Sequence, residues 1–119
     1  MERILLIDDS MIQLRTLSML LQDKYETVMA TSGLEGIKLA KKKQPDLILL
    51  DYDMPGMSGR ETFRQLQESE DTKDIPVVFL TGVDDRRDVE EVLKLRPQGY
   101  LLKPVEQERL LQTILDALY

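Results

Sequence analysis

The chain has 119 residues, a formal net charge of −6, 42% apolar residues, and neither cysteine nor histidine. That length fits one domain around one core, and the missing residue types exclude disulfides, thiolate metal sites, a histidine base and any phosphohistidine formed on this chain. The acidic excess opposes direct binding to nucleic-acid phosphates and to anionic membrane surfaces.

Met1, Glu2 and Arg3 lead into a short apolar run and then two aspartates, which is not the pattern of a signal peptide. No apolar run approaches the length that spans a bilayer. The lack of cysteine suits a reducing cytoplasm, the compartment expected for this chain.

In chain order, residues 4–7 are continuously apolar, as a strand buried on both faces must be. Leu14, Leu17 and Leu21 mark the face of a first helix. Residues 25–30 read as a second strand. Ser32 with Glu35 forms a capping-box pattern before a second helix, whose inner face is Ile37 and Ala40 and whose end is set by Pro45. Lys41, Lys42 and Lys43 form a solvated end favoured by the helix dipole. Residues 47–50 are a third strand, and Ser58 with Glu61 repeats the capping box ahead of a helix with the weakest stripe, Phe63 and Leu66. Met54 and Met57 read as packing or loop residues. A fourth strand covers 75–80. Asp84 is the expected N-cap of a fourth helix with Val89, Val92 and Leu93 inward, ended by Pro97. Residues 100–102 are the fifth strand, and Leu111, Ile114, Leu115 and Leu118 form the clearest stripe, on a fifth helix.

Strand then helix, five times, predicts an α/β fold with a parallel sheet covered on both faces. Right-handed crossovers leave few arrangements. The expected one is the flavodoxin-like, doubly wound order 2-1-3-4-5, with ligands at the carboxyl ends of the strands near the switch between strands one and three. With no repeat, low-complexity stretch or linker, residues 1–119 read as a single domain with no output domain attached.

Four of the five strand ends carry such a polar group: Asp8 and Asp9, then Asp51, Thr81 and Lys103 before Pro104. A lone aspartate after a strand is more often a cap or turn residue, Thr81-Gly82 alone is a turn, and Lys103-Pro104 alone is a strand exit. Their joint occurrence at successive strand ends decides otherwise. Three carboxylates in one cleft raise each other's pKa or need a cation, and an all-oxygen donor set selects a hard ion, with Mg²⁺ the expected one. Lys103 adds a positive charge and Thr81 a hydroxyl donor for the same anion. Phosphoryl transfer needs little more than an in-line nucleophile and neutralised charge, and Asp51, alone in the middle of the sheet, is the best-placed carboxylate nucleophile.

Ile4-Leu5-Leu6-Ile7-Asp8-Asp9-Ser10, Leu49 through Gly59 around Asp51-Tyr52-Asp53-Met54-Pro55-Gly56, Phe79-Leu80-Thr81-Gly82 and Gly99-Tyr100-Leu101-Leu102-Lys103-Pro104 together resemble a response-regulator receiver domain of two-component signalling. The resemblance covers nearly the whole chain, and the separations of Asp51, Thr81 and Lys103 suit the family. It implies that Asp51 accepts a phosphoryl group from the phosphohistidine of a sensor histidine kinase or phosphotransfer protein. It further implies that Asp8, Asp9, Asp51 and the backbone carbonyl of Asp53 hold Mg²⁺, that Thr81 and Lys103 contact the phosphoryl group, and that the Lys103–Pro104 peptide is cis. Tyr100 is then the switch aromatic for the face of helix four, strand five and helix five, which meets a downstream effector; a half-buried edge-strand aromatic is the equal alternative. Such a domain is a self-phosphorylating and self-dephosphorylating switch, not a turnover enzyme.

Several positions depart from the common pattern. Asp53 and Val83, each two past a site residue, flank the path of the attacking water and are expected to tune the aspartyl-phosphate lifetime. Gly82 stands where alanine is common and should loosen the following loop. Leu95-Arg96-Pro97-Gln98 replaces a small-residue turn, so a phosphorylation-dependent dimer on that face stays open. Gly33 and Gly36 have no evident role. Rival readings are a small phosphatase forming an aspartyl-phosphate through Asp51 and Asp53, an FMN carrier of the same fold, for which Asp8-Asp9-Ser10 has the wrong charge, and a receiver used only for docking.

Overall fold

The computed structural model describes residues 1–82 and 86–119, and side chains outside 83–88. Five strands alternate with five helices: β1 (Arg3–Ile7), α1 (Met11–Leu21), β2 (Glu26–Ala30), α2 (Gly33–Lys43), β3 (Leu47–Asp51), α3 (Gly59–Glu68), β4 (Val77–Gly82), α4 (Arg86–Leu95), β5 (Gly99–Lys103) and α5 (Gln107–Leu118). The strands form one parallel sheet in the order β2-β1-β3-β4-β5, the expected flavodoxin-like arrangement.

Period-two alternation divides the apolar strands between two cores. Leu5, Ile7, Ile48, Leu50, Val77 and Phe79 face α2, α3 and α4, meeting Ile37, Ala40, Phe63, Leu66 and Val92. Ile4, Leu6, Leu47, Leu49, Val78 and Leu80 face α1 and α5, meeting Leu14, Leu17, Leu21, Leu110 and Ile114. This two-sided burial is why β1 and β3 read as unbroken apolar runs.

The register positions the functional edge. Ile7 pairs with Leu50, so the next residues, Asp8 and Asp51, are neighbours. Asp51 pairs with Leu80, and Thr81 follows it. Thr81 pairs with Leu102, and Lys103 follows that. Four polar residues therefore gather across β1, β3, β4 and β5 at one edge.

Some local expectations need correction. Leu93 and Leu115 are 52% and 47% exposed. Helix α4 turns Val92 inward, and α5 turns Leu110 and Ile114 inward with Leu111 and Leu118 only partly covered. The weak stripe of α3 does bury Phe63 and Leu66. Both serine caps form, Ser32 Oγ accepting from Glu35 N and Ser58 Oγ from Glu61 N. Neither glutamate closes a capping box: Glu35 accepts from Thr31 N, one residue early, and Glu61 pairs with Arg64 on its own helix at 2.5 Å. Ser10, not anticipated from sequence, caps α1 through Gln13 N. Asp84 lies outside the described residues. Pro45 and Pro97 do follow helix ends, each after a left-handed residue, Gln44 and Arg96.

The two glycines of α2 have a role that spacing alone did not reveal. A Cβ at Gly33 would sit 2.1 Å from Thr62 Oγ1, and one at Gly36 would sit 2.4 Å from Ile7 Cδ1. Gly33 thus lets α2 approach α3, and Gly36 lets it approach β1.

Candidate functional site: an acidic cleft at the carboxyl edge of the sheet

Asp8, Asp51 and Thr81 are buried, 1%, 2% and 1% exposed, while Asp9 faces solvent at the mouth. One carboxylate oxygen from each of Asp8, Asp9 and Asp51 lies within 4.8 Å of the other two. Lys103 Nζ donates to Asp51 Oδ1 at 2.8 Å and stands 3.7 Å from Asp8 Oδ2. The Lys103–Pro104 peptide is cis.

Local turns hold the acids in place. Asp8 Oδ1 accepts from Ser10 N at 2.9 Å, so the residue that caps α1 also aims Asp8. Backbone bonds from Asp8 N to Ala30 O and from Tyr52 N to Leu80 O continue the sheet pairing past the acids. Gly59 N donates to Tyr52 O, closing the loop between β3 and α3.

Burial pushes the Asp51 carboxyl up to about 6. The Lys103 hydrogen bond opposes that rise, and the charges of Asp8 and Asp9 add to it. Burial likewise raises Asp8, against its bond from Ser10 and the charge of Lys103. Burial lowers Lys103, but its bond to Asp51 and the surrounding carboxylates outweigh this, so it is raised and stays charged. Among the described residues, one ammonium among three carboxylates leaves the cleft short of positive charge.

Among the described residues two buried polar atoms have no hydrogen-bond partner: Asp8 Oδ2 and Thr81 Oγ1. Orphans of this kind cost about 1–3 kcal/mol each unless a water, ion or ligand meets them. The acid cluster fits a hard divalent cation, to which oxygens alone are offered. The Thr81 hydroxyl beside Lys103 fits an anion.

The other site residues fall as follows. Asp53 is exposed in the loop after β3 and lines a cleft with Tyr52, Arg60 and Glu91. Tyr100 is partly buried against the α4-side core, paired in register with Phe79. Gly82 ends β4, and a Cβ there would meet no atom of the described residues within 4 Å. Val83 lies outside the described residues.

Two contributors were missed from sequence. Gly59 lies so near the acceptor strand that a Cβ would be 2.3 Å from Asp51 O and 2.6 Å from Tyr52 Cα; the Ser58-Gly59 pair at a helix start was the available signal. Tyr52 donates its hydroxyl to Glu91 on α4, a contact across 39 residues with no local signature.

The chain belongs to the response regulator receiver domain family, whose family model matches residues 4–115. It is thus a receiver domain of two-component signalling. Among known relatives it is similar to Protein PilH of Pseudomonas aeruginosa, 36% identical over 115 residues that cover 96% of this chain and 95% of PilH. Among solved structures it is similar to the chemotaxis protein CheY4 of Vibrio cholerae, with a TM-score of 0.89, 31% identity and 98% of each chain covered. The receiver domain of the sensor histidine kinase PA1611 from P. aeruginosa shares the fold, with a TM-score of 0.90 at 23% identity over 98% of this chain and 97% of that one. No helix among the described residues is long and apolar enough to cross a membrane.

Proposed function

We propose that the chain is a phospho-accepting switch, in which Asp51 takes a phosphoryl group from the phosphohistidine of a sensor kinase or phosphotransfer protein. The observation that carries this is the pairing of buried Asp51 with Lys103 at 2.8 Å beside the unpartnered Thr81 hydroxyl. An Asp51 carboxylate oxygen attacks phosphorus, the P–N bond to the donor imidazole breaks with its electron pair leaving on nitrogen, and an aspartyl-phosphate forms. Lys103 Nζ then turns from Asp51 to a phosphoryl oxygen, and Thr81 Oγ1 gains the acceptor it lacks. Asp8, Asp9, Asp51 and the Asp53 carbonyl would hold Mg²⁺, which supplies charge neutralisation when bound; the PA1611 receiver carries a magnesium ion in its active-site cleft.

In this reading the whole chain, residues 1–119, is one cytoplasmic receiver unit and a switch, not a turnover enzyme. Phosphorylation adds roughly −1.5 to −2 charges, and the face of α4, β5 and α5, with Tyr100 at its centre, passes that change to an effector. Incubation with acetyl phosphate and Mg²⁺, read by intact mass, should give a single phosphoryl adduct that chelator abolishes. A wild-type chain that takes up no phosphoryl group ends this reading.

Two further results are expected. Mg²⁺ should raise the unfolding free energy by about 2.7 kcal/mol at a hundredfold excess over its Kd, and Asp8→Asn should remove most of that gain; thermal unfolding with and without the ion checks it. Asp53 is exposed in the loop two residues past the acceptor, and in this reading its side chain borders the path of the hydrolytic water. Asp53→Asn should therefore change the dephosphorylation rate of the purified phosphoprotein, and equal rates would remove Asp53 from that role.

A further inference from the structure

Tyr52, the residue immediately after β3 and Asp51, is buried and tied to three further elements. Its N–H donates to Leu80 O on β4 and its carbonyl accepts from Gly59 N on α3. Its ring meets Phe79 of β4 edge-on, with centroids 5.7 Å apart. Its hydroxyl donates to Glu91 Oε2 on α4 at 2.5 Å, in a partly buried setting.

Helix α4 is held thinly elsewhere. Among its described residues Val92 alone is buried, while Val89 and Leu95 are half-covered and Leu93 is exposed. A groove lined by Phe63, Gln67 and Leu95 opens between α3 and α4. A charge-assisted bond to the tyrosine that directly follows Asp51 is thus a substantial part of what positions this helix among the described residues.

We propose that the Tyr52–Glu91 hydrogen bond is a latch that holds α4 in its resting position, and that it opens when Asp51 is phosphorylated. In the arrangement that holds the latch, Lys103 is bound to Asp51 itself, and Thr81 Oγ1 has no hydrogen-bond partner among the described residues. Engagement of Thr81 by a phosphoryl group pulls the end of β4, and α4 begins four residues after Gly82. Displacing α4 carries Glu91 away from a tyrosine anchored to β3, β4 and α3. Arg60 lines the same cleft as Glu91 and has no ion pair among the described residues, so the released carboxylate has a cation to meet. Tyr52 and Glu91 are positioning residues in this scheme, since neither touches the phosphoryl group.

Thermodynamic reciprocity sets the sign of the test. If phosphorylation opens the latch, removing the latch favours phosphorylation-like ligation. The scheme rests on Asp51 being the phospho-acceptor. Beryllofluoride with Mg²⁺ is titrated by amide NMR into wild type, Tyr52→Phe, Glu91→Gln and the double variant. Each single variant should bind beryllofluoride about threefold to tenfold more tightly, the scale of one net hydrogen bond, and the double variant no more tightly than either single one. A merely structural contact predicts unchanged or weaker binding, and either result overturns the latch. Hydrogen exchange of the α4 amides in the metal-free proteins is the second readout: faster exchange in both single variants is expected, and wild-type protection in both overturns the proposal. A wild type that ignores beryllofluoride would refute the phospho-acceptor reading, whereas a responsive wild type matched by its variants refutes the latch alone.

Discussion

Asp51→Asn is expected to abolish phosphoryl uptake and, at the same time, to make the metal-free protein more stable at neutral pH. The loss of uptake follows from the missing nucleophile: an amide cannot form the acyl phosphate, and Lys103 and Thr81 have no phosphoryl group to meet. The gain in stability follows from the electrostatics of the cleft. Burial, reinforced by Asp8 and Asp9, raises the Asp51 carboxyl from 3.8 to about 6 in spite of Lys103. An acid with a folded pKa above its unfolded value binds protons more tightly in the fold. It therefore contributes stability that is fully present below the unfolded value and is lost as pH rises through the folded one. At about 1.4 kcal/mol per pH unit, the interval corresponds to an upper limit of roughly 3 kcal/mol of destabilisation above pH about 7. Asparagine is uncharged and keeps an oxygen for Lys103 Nζ. Chemical denaturation of the metal-free proteins should show Asp51→Asn more stable than wild type by about 1–3 kcal/mol at pH about 7.5, converging near pH about 4. A variant less stable than wild type at neutral pH would mean that the Lys103 pair, not the crowding of carboxylates, governs the cleft. The same charge crowding is what a divalent cation would relieve, which is why Mg²⁺ is expected to stabilise the wild type and to do less as pH falls through about 6.

Gly59→Ala should be the most damaging single-methyl change in the chain. A Cβ at this position would lie 2.3 Å from Asp51 O, 2.6 Å from Tyr52 Cα and 2.9 Å from Tyr52 O. All three are backbone atoms, so no side-chain rotation relieves the clash. Either α3 moves off the sheet or the chain at Asp51 and Tyr52 moves, and the Gly59 N–H to Tyr52 O bond is strained in both cases. Overpacking of this kind costs typically 1–3 kcal/mol, and a rigid backbone partner places Gly59→Ala at about 3 kcal/mol or above. The phosphorylation rate should fall as well, because displacement of the acceptor by a fraction of an ångström misaligns in-line attack. Gly82→Ala is the matched control, since a Cβ there meets no atom of the described residues within 4 Å. Thermal unfolding and acetyl phosphate kinetics on the pair would separate the effect of the contact from that of adding a methyl group. Equal stability of the two variants would show that α3 yields at no cost.

The legible part of this protein was the part written along single strands. Residues 4–7 and 47–50 read as doubly buried strands because a central parallel strand has no polar face, and the acids that stop those runs mark where the sheet ends. The register then carried Asp8, Asp51, Thr81 and Lys103 to one edge, as parallel pairing requires. Helix faces were less legible. Leu93 and Leu115 follow good helical spacing yet are exposed, because a stripe on a helix resting over a sheet edge can be wider than the surface beneath it. Glu61 had the spacing of a capping box, but Arg64, one turn away on the same helix, took its carboxylate.

By itself the sequence determined the element order, the parallel sheet and the acidic cleft, whose all-oxygen donor set suits a hard cation. Those follow from periodicity and from polar residues at strand ends, which are local properties. Tertiary structure alone decided which distances are short. It set Lys103 on Asp51 and left Thr81 Oγ1 and Asp8 Oδ2 without a hydrogen bond among the described residues. It also brought Gly33, Gly36 and Gly59 against neighbouring elements and joined Tyr52 to Glu91. Each of these depends on how closely two elements far apart in the chain approach, a quantity fixed by the sum of all packing across both faces of the sheet and recorded at no single residue.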